Sequence, residues 1–523
     1  MEPEMMKNNN LDGPVILVSK EIMYTFPFGY AYLAGYLQSK NEQVLVEFRP
    51  ENEALFREFA RELIAKKPLL VGFGTIYPDL YITKEIITIL DELGRDFPVV
   101  VGGQMVTPTP EFAVQITGAD FGVIGEGEII LHELVTALRN GGDTSKVKGL
   151  VINDGHEIIS TGPGDYIVDL AELPPIPYEL FPEDRWLNIG KFYAGYADFY
   201  FAPMYKFDDR IVPIHGGRGC PYTCNFCYHH SKPRYRPMDV MMAEAEMLIE
   251  RFDANMIEFS DDLVISSPKR ARELVDGIKQ LSRPVEYSIS CRFNVIKNMD
   301  DELLLDLKKS GCRIMGIGLE SGSQRILDIM HKKISVEDIY NGLRRLKDAG
   351  IIPITAFMVG QLSETREDVE KSIAMLRDLI KQDKYFVSNF TITTPFPGSE
   401  LYDVAFQKGL LKQHEDFYNI YDPRRDMCGI SLNMSSMTDK EVVELRNRME
   451  AIYLKEKIKA ANVKILLIEK LRSRLKSFYD KISTRFFRNR CECSLIRLAD
   501  KYYCFIQSWL DTTRLRIYSQ ADN

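Results

Sequence analysis

Gly216-Gly217-Arg218-Gly219-Cys220-Pro221-Tyr222-Thr223-Cys224-Asn225-Phe226-Cys227 sets three cysteines at C-x-x-x-C-x-x-C spacing in a glycine-rich loop. The apolar run Ile211 to Ile214 just before it reads as a strand. Three thiolates this close in sequence can converge on one soft metal centre, and soft sulfur ligands select zinc, copper(I) or iron–sulfur clusters. Structural zinc sites and electron-transfer clusters ordinarily take four protein ligands. Three leave one position open for a substrate or cofactor. The zinc alternative needs a fourth ligand, which His229 or His230 could supply.

Outward from the loop, strand and helix patterns alternate. Strands are expected at Ile211 to Ile214, Met256 to Ser260, Tyr287 to Ser290, Ile314 to Gly318, Thr355 to Val359 and Ser388 to Thr394. Helices are expected at Met238 to Asp253, Pro268 to Leu281, Asp301 to Ser310, Val336 to Ala349 and Arg366 to Gln382. Consecutive βα units predict a partial (β/α) barrel over 211–400, with site residues at the carboxyl ends of its strands. Those ends carry Ser260-Asp261-Asp262, Cys291-Arg292, Glu320-Ser321-Gly322-Ser323, Gly360-Gln361 with Glu364 beyond, and Thr394-Pro395-Phe396-Pro397-Gly398. One acidic pair alone reads as a helix cap; a ring of such ends around a metal loop reads as a site.

Cys220-Pro221-Tyr222-Thr223-Cys224-Asn225-Phe226-Cys227 resembles the cluster motif of the radical S-adenosylmethionine (SAM) superfamily. The resemblance implies that Cys220, Cys224 and Cys227 hold a [4Fe–4S] cluster whose fourth iron is chelated by SAM. It further implies SAM contacts from Phe226, Glu320 and Ser321, a carboxylate partner in Arg292, and Asp261-Asp262 in place of the Gly-Gly-Glu of many members. An electron donor such as flavodoxin or ferredoxin is implied as well.

Upstream, residues 14–142 read as a doubly wound, Rossmann-like α/β domain with a parallel sheet covered on both faces. Its strands are expected at Val15 to Val18, Val44 to Phe48, Leu69 to Phe73, Val99 to Val101 and Phe121 to Ile124. The strand ends where such sheets bind ligands hold Gly72-Phe73-Gly74-Thr75, Gly102-Gly103-Gln104 and Gly125-Glu126-Gly127-Glu128. No G-x-G-x-x-G follows the first strand, which excludes the usual dinucleotide fingerprint. The stretch Pro27 to Leu37, Val101-Gly102-Gly103 and Gly125-Glu126-Gly127-Glu128 resemble the cobalamin-binding domain that precedes the barrel in one large radical SAM family. Candidate cobalamin contacts are Gly74, Thr75, Gly102, Gly103, Gly125, Glu126 and Gly127. The D-x-H-x-x-G signature that supplies a histidine to cobalt is absent, as is common in that family.

Domains are accordingly expected at 1–145 (cobalamin-binding), 146–210 (linker with a small hairpin turning at Asn153-Asp154-Gly155), 211–400 (barrel) and 401–523 (helical). Aromatics crowd the joint from Phe192 to Tyr205, as at a packed interdomain seam. Helices are expected at Asp439 to Lys457 and over 461–481. From Ala451 onward sixteen Lys and Arg face seven Asp and Glu, in a chain of net charge −9. That basic tail suits peripheral contact with an anionic membrane, packing on the acidic body, or a solvated face. Cys491, Cys493 and Cys504 read as buried structural cysteines.

With 45% hydrophobic and 27% charged residues the chain belongs among soluble globular proteins, and its acidity argues against nucleic acid as a partner. No apolar run of about 18 residues predicts a membrane span, and nine sparse cysteines do not form a secreted disulfide framework. A cytoplasmic location is expected. The whole resembles the group around the anaerobic magnesium-protoporphyrin IX monomethyl ester cyclase and cobalamin-dependent methylases. It implies a deoxyadenosyl radical that modifies an unactivated carbon of a small molecule, by methyl transfer or alternatively by cyclisation or rearrangement. A non-catalytic zinc module is the reading from another class.

Overall fold

The computed structural model of the chain describes residues 11–20, 26–74, 76–187, 204–206, 208–228, 231–383, 385–421 and 429–460. Thr75, the aromatic run from Phe192 to Phe201, His229, His230, Cys428, the expected helix over 461–481 and Cys491, Cys493 and Cys504 lie outside these residues.

Five parallel strands form the first sheet's body: β1 (Val15–Lys20), β2 (Val44–Arg49), β3 (Leu70–Gly74), β4 (Val99–Gly102) and β5 (Phe121–Val123). Their order, β2-β1-β3-β4-β5, is that of a doubly wound sheet. The apolar runs that predicted these strands are buried on both faces, with Val15, Ile16, Val71 and Val101 fully enclosed. Helices α1 (Phe28–Ser39), α2 (Phe56–Ala65), α3 (Leu80–Glu92), α4 (Pro110–Thr117) and α5 (Gly127–Arg139) cover it. The hairpin expected in the joint is part of this sheet. Its strands β6 (Leu150–Asn153) and β7 (Ile158–Ser160) continue it antiparallel from β5, so the sheet runs past residue 145. A strand so soon after α5 finds the free edge of β5 before anything else, and burying Leu150 and Val151 there covers that edge.

The second sheet is parallel throughout and each strand lies beside its successor: β8 (Ile211–Ile214), β11 (Met256–Phe259), β12 (Glu286–Cys291), β13 (Cys312–Ile317), β14 (Ile352–Val359) and β15 (Val387–Ile392). Two short strands the sequence pattern did not signal, β9 (Gly217–Arg218) and β10 (Arg234–Tyr235), pair antiparallel at the base of the cysteine loop. The five expected helices are present, and Ser335 and Thr365 cap two of them with reciprocal boxes. Helices pack on one face of the sheet, against Ile257, Phe259, Met315 and Phe357. On the other face Ile211, Met256, Ile314 and Val387 form a plug with Met204 and Tyr205. This is an open six-stranded version of a barrel, its floor closed by apolar side chains.

The two bodies share their cores. Phe26, Phe28 and Tyr32 of the first pack with Trp186 and the barrel helices. After the barrel, Tyr402, Phe417, Tyr421 and Met434 return to the first domain and pack against Tyr77, Phe97 and Met105. The helix Asp439–Ala460 turns back to the barrel, where Arg446 Nε donates to Phe390 O of β15 at 3.0 Å. No helix among the described residues is long and apolar enough to cross a membrane.

Candidate functional site

The cysteine loop leaves β8 and is shaped from below by one carboxylate. Asp261 accepts from Gly216 N at 2.7 Å and from Gly217 N at 2.5 Å. Burial pushes its carboxyl up to about 7, against those two donors. Asp261 therefore supports the loop backbone, whereas Asp262 is exposed beside it. Gly219 has φ +74°, and a Cβ there would meet Ser231 O and the Lys232 carbonyl, so the chain can cross itself here only as glycine.

The cysteines themselves lie in a cationic setting. Cys224 is 3% exposed, with Cys220 and Cys227 partly exposed. A hydrogen bond shared with Cys227 lowers the Cys224 thiol, and Arg292 and Lys332 lower it further; Cys227 is correspondingly raised. Arg292 Nη1 lies 3.3 Å from Cys224 Sγ, and its guanidinium sits 4.0 Å from the centre of the Tyr222 ring. Arg292 Nη2 also donates to Lys332 O at 2.9 Å.

Lys332 was not singled out from the sequence. Its Nζ donates to Glu320 Oε1 at 3.0 Å in a buried pair and lies 5.9 Å from the Phe226 ring. Glu320 sits at φ +66°, where its N donates to Ala356 O and its O accepts from Met358 N, so it is held as an isolated bridge on β14. Phe226, Arg292, Glu320 and the cysteines are thus brought together. Ser321 is fully buried, its hydroxyl 3.3 Å from Ser372 Oγ on the helix Arg366–Gln382 and its N donating to Leu319 O at 2.9 Å, so it lies beneath the site. Gln361 donates to Thr393 Oγ1 at 2.8 Å, and Glu364 accepts from Gly360 N at 2.6 Å.

The first domain meets the loop through its own strand ends. The Tyr30 hydroxyl accepts from Gly74 N at 2.8 Å and covers the end of β3. Gly102 and Gly103 end β4, and Thr107 Oγ1 accepts from Gly125 N at 3.0 Å, tying the turns after β4 and β5 together. A Cβ on Gly125 would meet nothing within 4 Å. Glu126 is engaged elsewhere: its carboxylate accepts from Arg218, at 2.5 Å, and from Arg234. A cavity of about 550 Å³ opens between these parts, walled by Gly125, Glu126, Tyr166, Cys220, Tyr222 and Lys232.

The donor set can be tested against candidate metals. Among the described residues no three His, Cys, Asp or Glu side chains converge on the position of a single ion. Tetrahedral zinc needs a fourth ligand, and His229 and His230, which the sequence offers for it, lie outside the described residues. A [4Fe–4S] cluster spreads three thiolates over three irons, which is what a loop of this spacing fits. For a corrinoid, the open backbone at Gly125 and the exposed Gly103 leave room for close approach at the sheet's ligand crevice.

Residues 214–376 match the family model of the Radical SAM superfamily, and residues 15–135 match that of the B12 binding domain. A protein named as an uncharacterized methyltransferase of Pyrococcus horikoshii is 27% identical over 83% of this chain and 88% of its own. The anaerobic magnesium-protoporphyrin IX monomethyl ester cyclase of Rubrivivax gelatinosus is 28% identical over 76% of this chain and 69% of its own. Among solved structures, the radical SAM methyltransferase TsrM of Kitasatospora setae, with cobalamin and a [4Fe–4S] cluster bound, aligns with a TM-score of 0.59 at 21% identity. That alignment covers 76% of this chain and 75% of TsrM. The cobalamin-dependent enzyme OxsB aligns at 0.64 and 15% identity over 98% of this chain and 81% of its own, a likeness of fold. The two domains bring with them a [4Fe–4S] cluster, SAM and cobalamin. Residues 214–376 are thus a radical SAM domain and residues 15–135 a B12-binding domain, and the chain is a cobalamin-dependent radical SAM enzyme.

Proposed function

We propose that the enzyme transfers a methyl group to an unactivated carbon of a small molecule. One observation carries the reading: a single cavity has the cysteine loop on one wall and the glycine turn after β5 on the other. Chemistry between two cofactor sites needs that adjacency. When bound, the cofactors supply reductive cleavage of SAM and a transferable methyl group.

The chain's residues take the following roles in this proposal. Cys220, Cys224 and Cys227 hold the cluster, and Arg292 offsets thiolate charge at Cys224. Phe226, Arg292 and Asp262 border SAM above the buried Ser321, with Glu320 aimed by Lys332. Gly102, Gly103, Gly125 and Gly127 border the corrinoid, while Gly74 lies beneath Tyr30. Enclosure of Cys224 keeps water from the most buried of the three loop thiols. An external one-electron donor of the flavodoxin or ferredoxin kind reduces the cluster. Any membrane contact would come from the basic tail beyond Ala460.

Similarity to the Rubrivivax cyclase over most of the chain supports oxidative cyclisation as the second reading. Incubation of the reconstituted enzyme and an extract of its own cells with methyl-labelled SAM separates the two. Label recovered in a small-molecule product supports methyl transfer. Deoxyadenosine formed with an unlabelled, oxidised product supports cyclisation and refutes it.

A further inference from the structure

The cysteine loop is the connection of a ribbon. Arg218 of β9 lies directly opposite Arg234 of β10, and residues 219–233 between them carry all three cysteines. Like charges directly opposite on an antiparallel pair destabilise it, and here the two arginine side chains are only 10% and 12% exposed. The charge that reconciles them comes from the other domain. Glu126 accepts from Arg218 Nη1 at 2.5 Å through one carboxylate oxygen and from Arg234 Nη2 through the other. Glu128 accepts from Arg218 Nη2 at 2.5 Å.

Groups of α1 and of the segment after β7 complete the enclosure. The Arg218 guanidinium sits 5.1 Å from the Tyr32 ring of α1, and that of Arg234 sits 4.8 Å from the Tyr166 ring. Arg234 Nη1 donates to Ile167 O. The base of the cluster loop is thus closed by a carboxylate that belongs to the turn after β5, the strand end where the first sheet meets its ligand.

We propose that Glu126 is a positioning residue that couples the two cofactor sites: a corrinoid seated at the turn after β5 sets the carboxylate that holds the ribbon, and through it the cysteine loop. This rests on the cofactor sites proposed above. A plain interdomain fastener would hold the ribbon equally with and without corrinoid. A coupler makes the loop respond to corrinoid, and by linkage makes corrinoid affinity respond to the loop.

The test is anaerobic hydrogen exchange on the full-length, cluster-loaded enzyme with and without hydroxocobalamin, read in peptides spanning 219–233. Wild type should show exchange slowed by about fivefold or more on corrinoid binding, the lower end of ordinary coupling. Glu126→Gln should still bind hydroxocobalamin by optical titration but show no slowing in those peptides. Should the single variant fail to fold, Glu126→Gln combined with Arg234→Gln removes the opposed charges and should restore the fold without restoring the response. Wild-type binding without slowing, or slowing retained in either variant, overturns the proposal alone. Loss of hydroxocobalamin binding in both variants also overturns it, because Glu126 would then be a direct corrinoid contact. A wild-type chain that binds no hydroxocobalamin overturns the cofactor reading beneath it as well.

Discussion

Replacing Lys332 with methionine keeps the length of the side chain and removes its charge. In the native site Lys332 Nζ is 3.0 Å from Glu320 Oε1, with the two side chains 5% and 10% exposed. At that separation and an effective dielectric near 20, the attraction is about 5 kcal/mol. Most of it offsets the cost of taking two charges out of water. The single variant leaves Glu320 enclosed without a counter-charge, and breaking a buried pair in this way costs about 3–5 kcal/mol. The double variant Glu320→Gln/Lys332→Met leaves no isolated charge and should recover most of that loss. Denaturant unfolding of the cluster-free chain, followed by fluorescence and circular dichroism, measures both variants. A Lys332→Met loss below about 1 kcal/mol, or a double variant no more stable than the single, would show that the pair is not the enclosed, mutually dependent unit described here.

Cys224→Ala removes the most enclosed of the three loop thiols, and the expected outcome is loss of cluster absorbance and of deoxyadenosine formation; retention of both would refute the assignment of the loop. Glu258 lies on the inner face of β11, one step above Met256 of the apolar plug, and enclosure raises its carboxyl from 4.5 to about 7. Its ionised form is disfavoured in the folded chain, so its contribution to stability is whole below about pH 4.5 and falls away as pH rises to about 7. Glu258→Gln should match wild type at pH 4.5 and exceed it at pH 8 by at most about 3 kcal/mol, read from denaturant midpoints; equal midpoints at both pH values would contradict this. Gly398 has φ +86°, and a Cβ there would press into the Tyr228 ring and lie 2.9 Å from Pro108 Cβ. Gly398→Ala should cost about 1–2 kcal/mol in backbone strain alone and, by displacing Tyr228 next to Cys227, lower iron and acid-labile sulfide per chain; unchanged iron content would count against that contact.

Much of the architecture was legible because each element followed one periodicity. Val336–Ala349 and Arg366–Gln382 run between the residues expected, since their apolar spacing and their caps agree. The hairpin over 150–160 was legible as a hairpin but not as the edge of the first sheet, because pairing partners are set by which edge is free nearby. β9 and β10 are two residues each, too short for any alternation to register. In the site, the loop cysteines and Arg292 were visible through spacing and strand ends. Asp261 was read as facing a ligand, whereas it accepts from the backbone of Gly216 and Gly217. Glu126, a candidate corrinoid contact by its strand end, lines the cavity and also accepts from two arginines. A carboxylate at a strand end has two directions open to it, and sequence position does not distinguish them. Lys332 was missed because it lies in a turn between positive-φ residues His331 and Lys333, where no strand or helix pattern draws attention to it.

The return of the chain to its first domain has a consequence for synthesis. The apolar core on one side of the first sheet contains Tyr402, Ala405, Leu411, Phe417, Tyr421 and Met434 beside Ile16, Val71 and Val101. When the ribosome has released residues 1–165, that core has its own helices α2, α3 and α4 but lacks these later side chains, and it gains them only after the whole barrel has been made. Long-range closure of this kind is slow, and the apolar side chains that wait for it are exposed to aggregation in the meantime. The first domain is therefore expected to reach its native packing last, although it is translated first. Corrinoid uptake would then follow completion of the barrel, so that a half-made chain does not capture the cofactor.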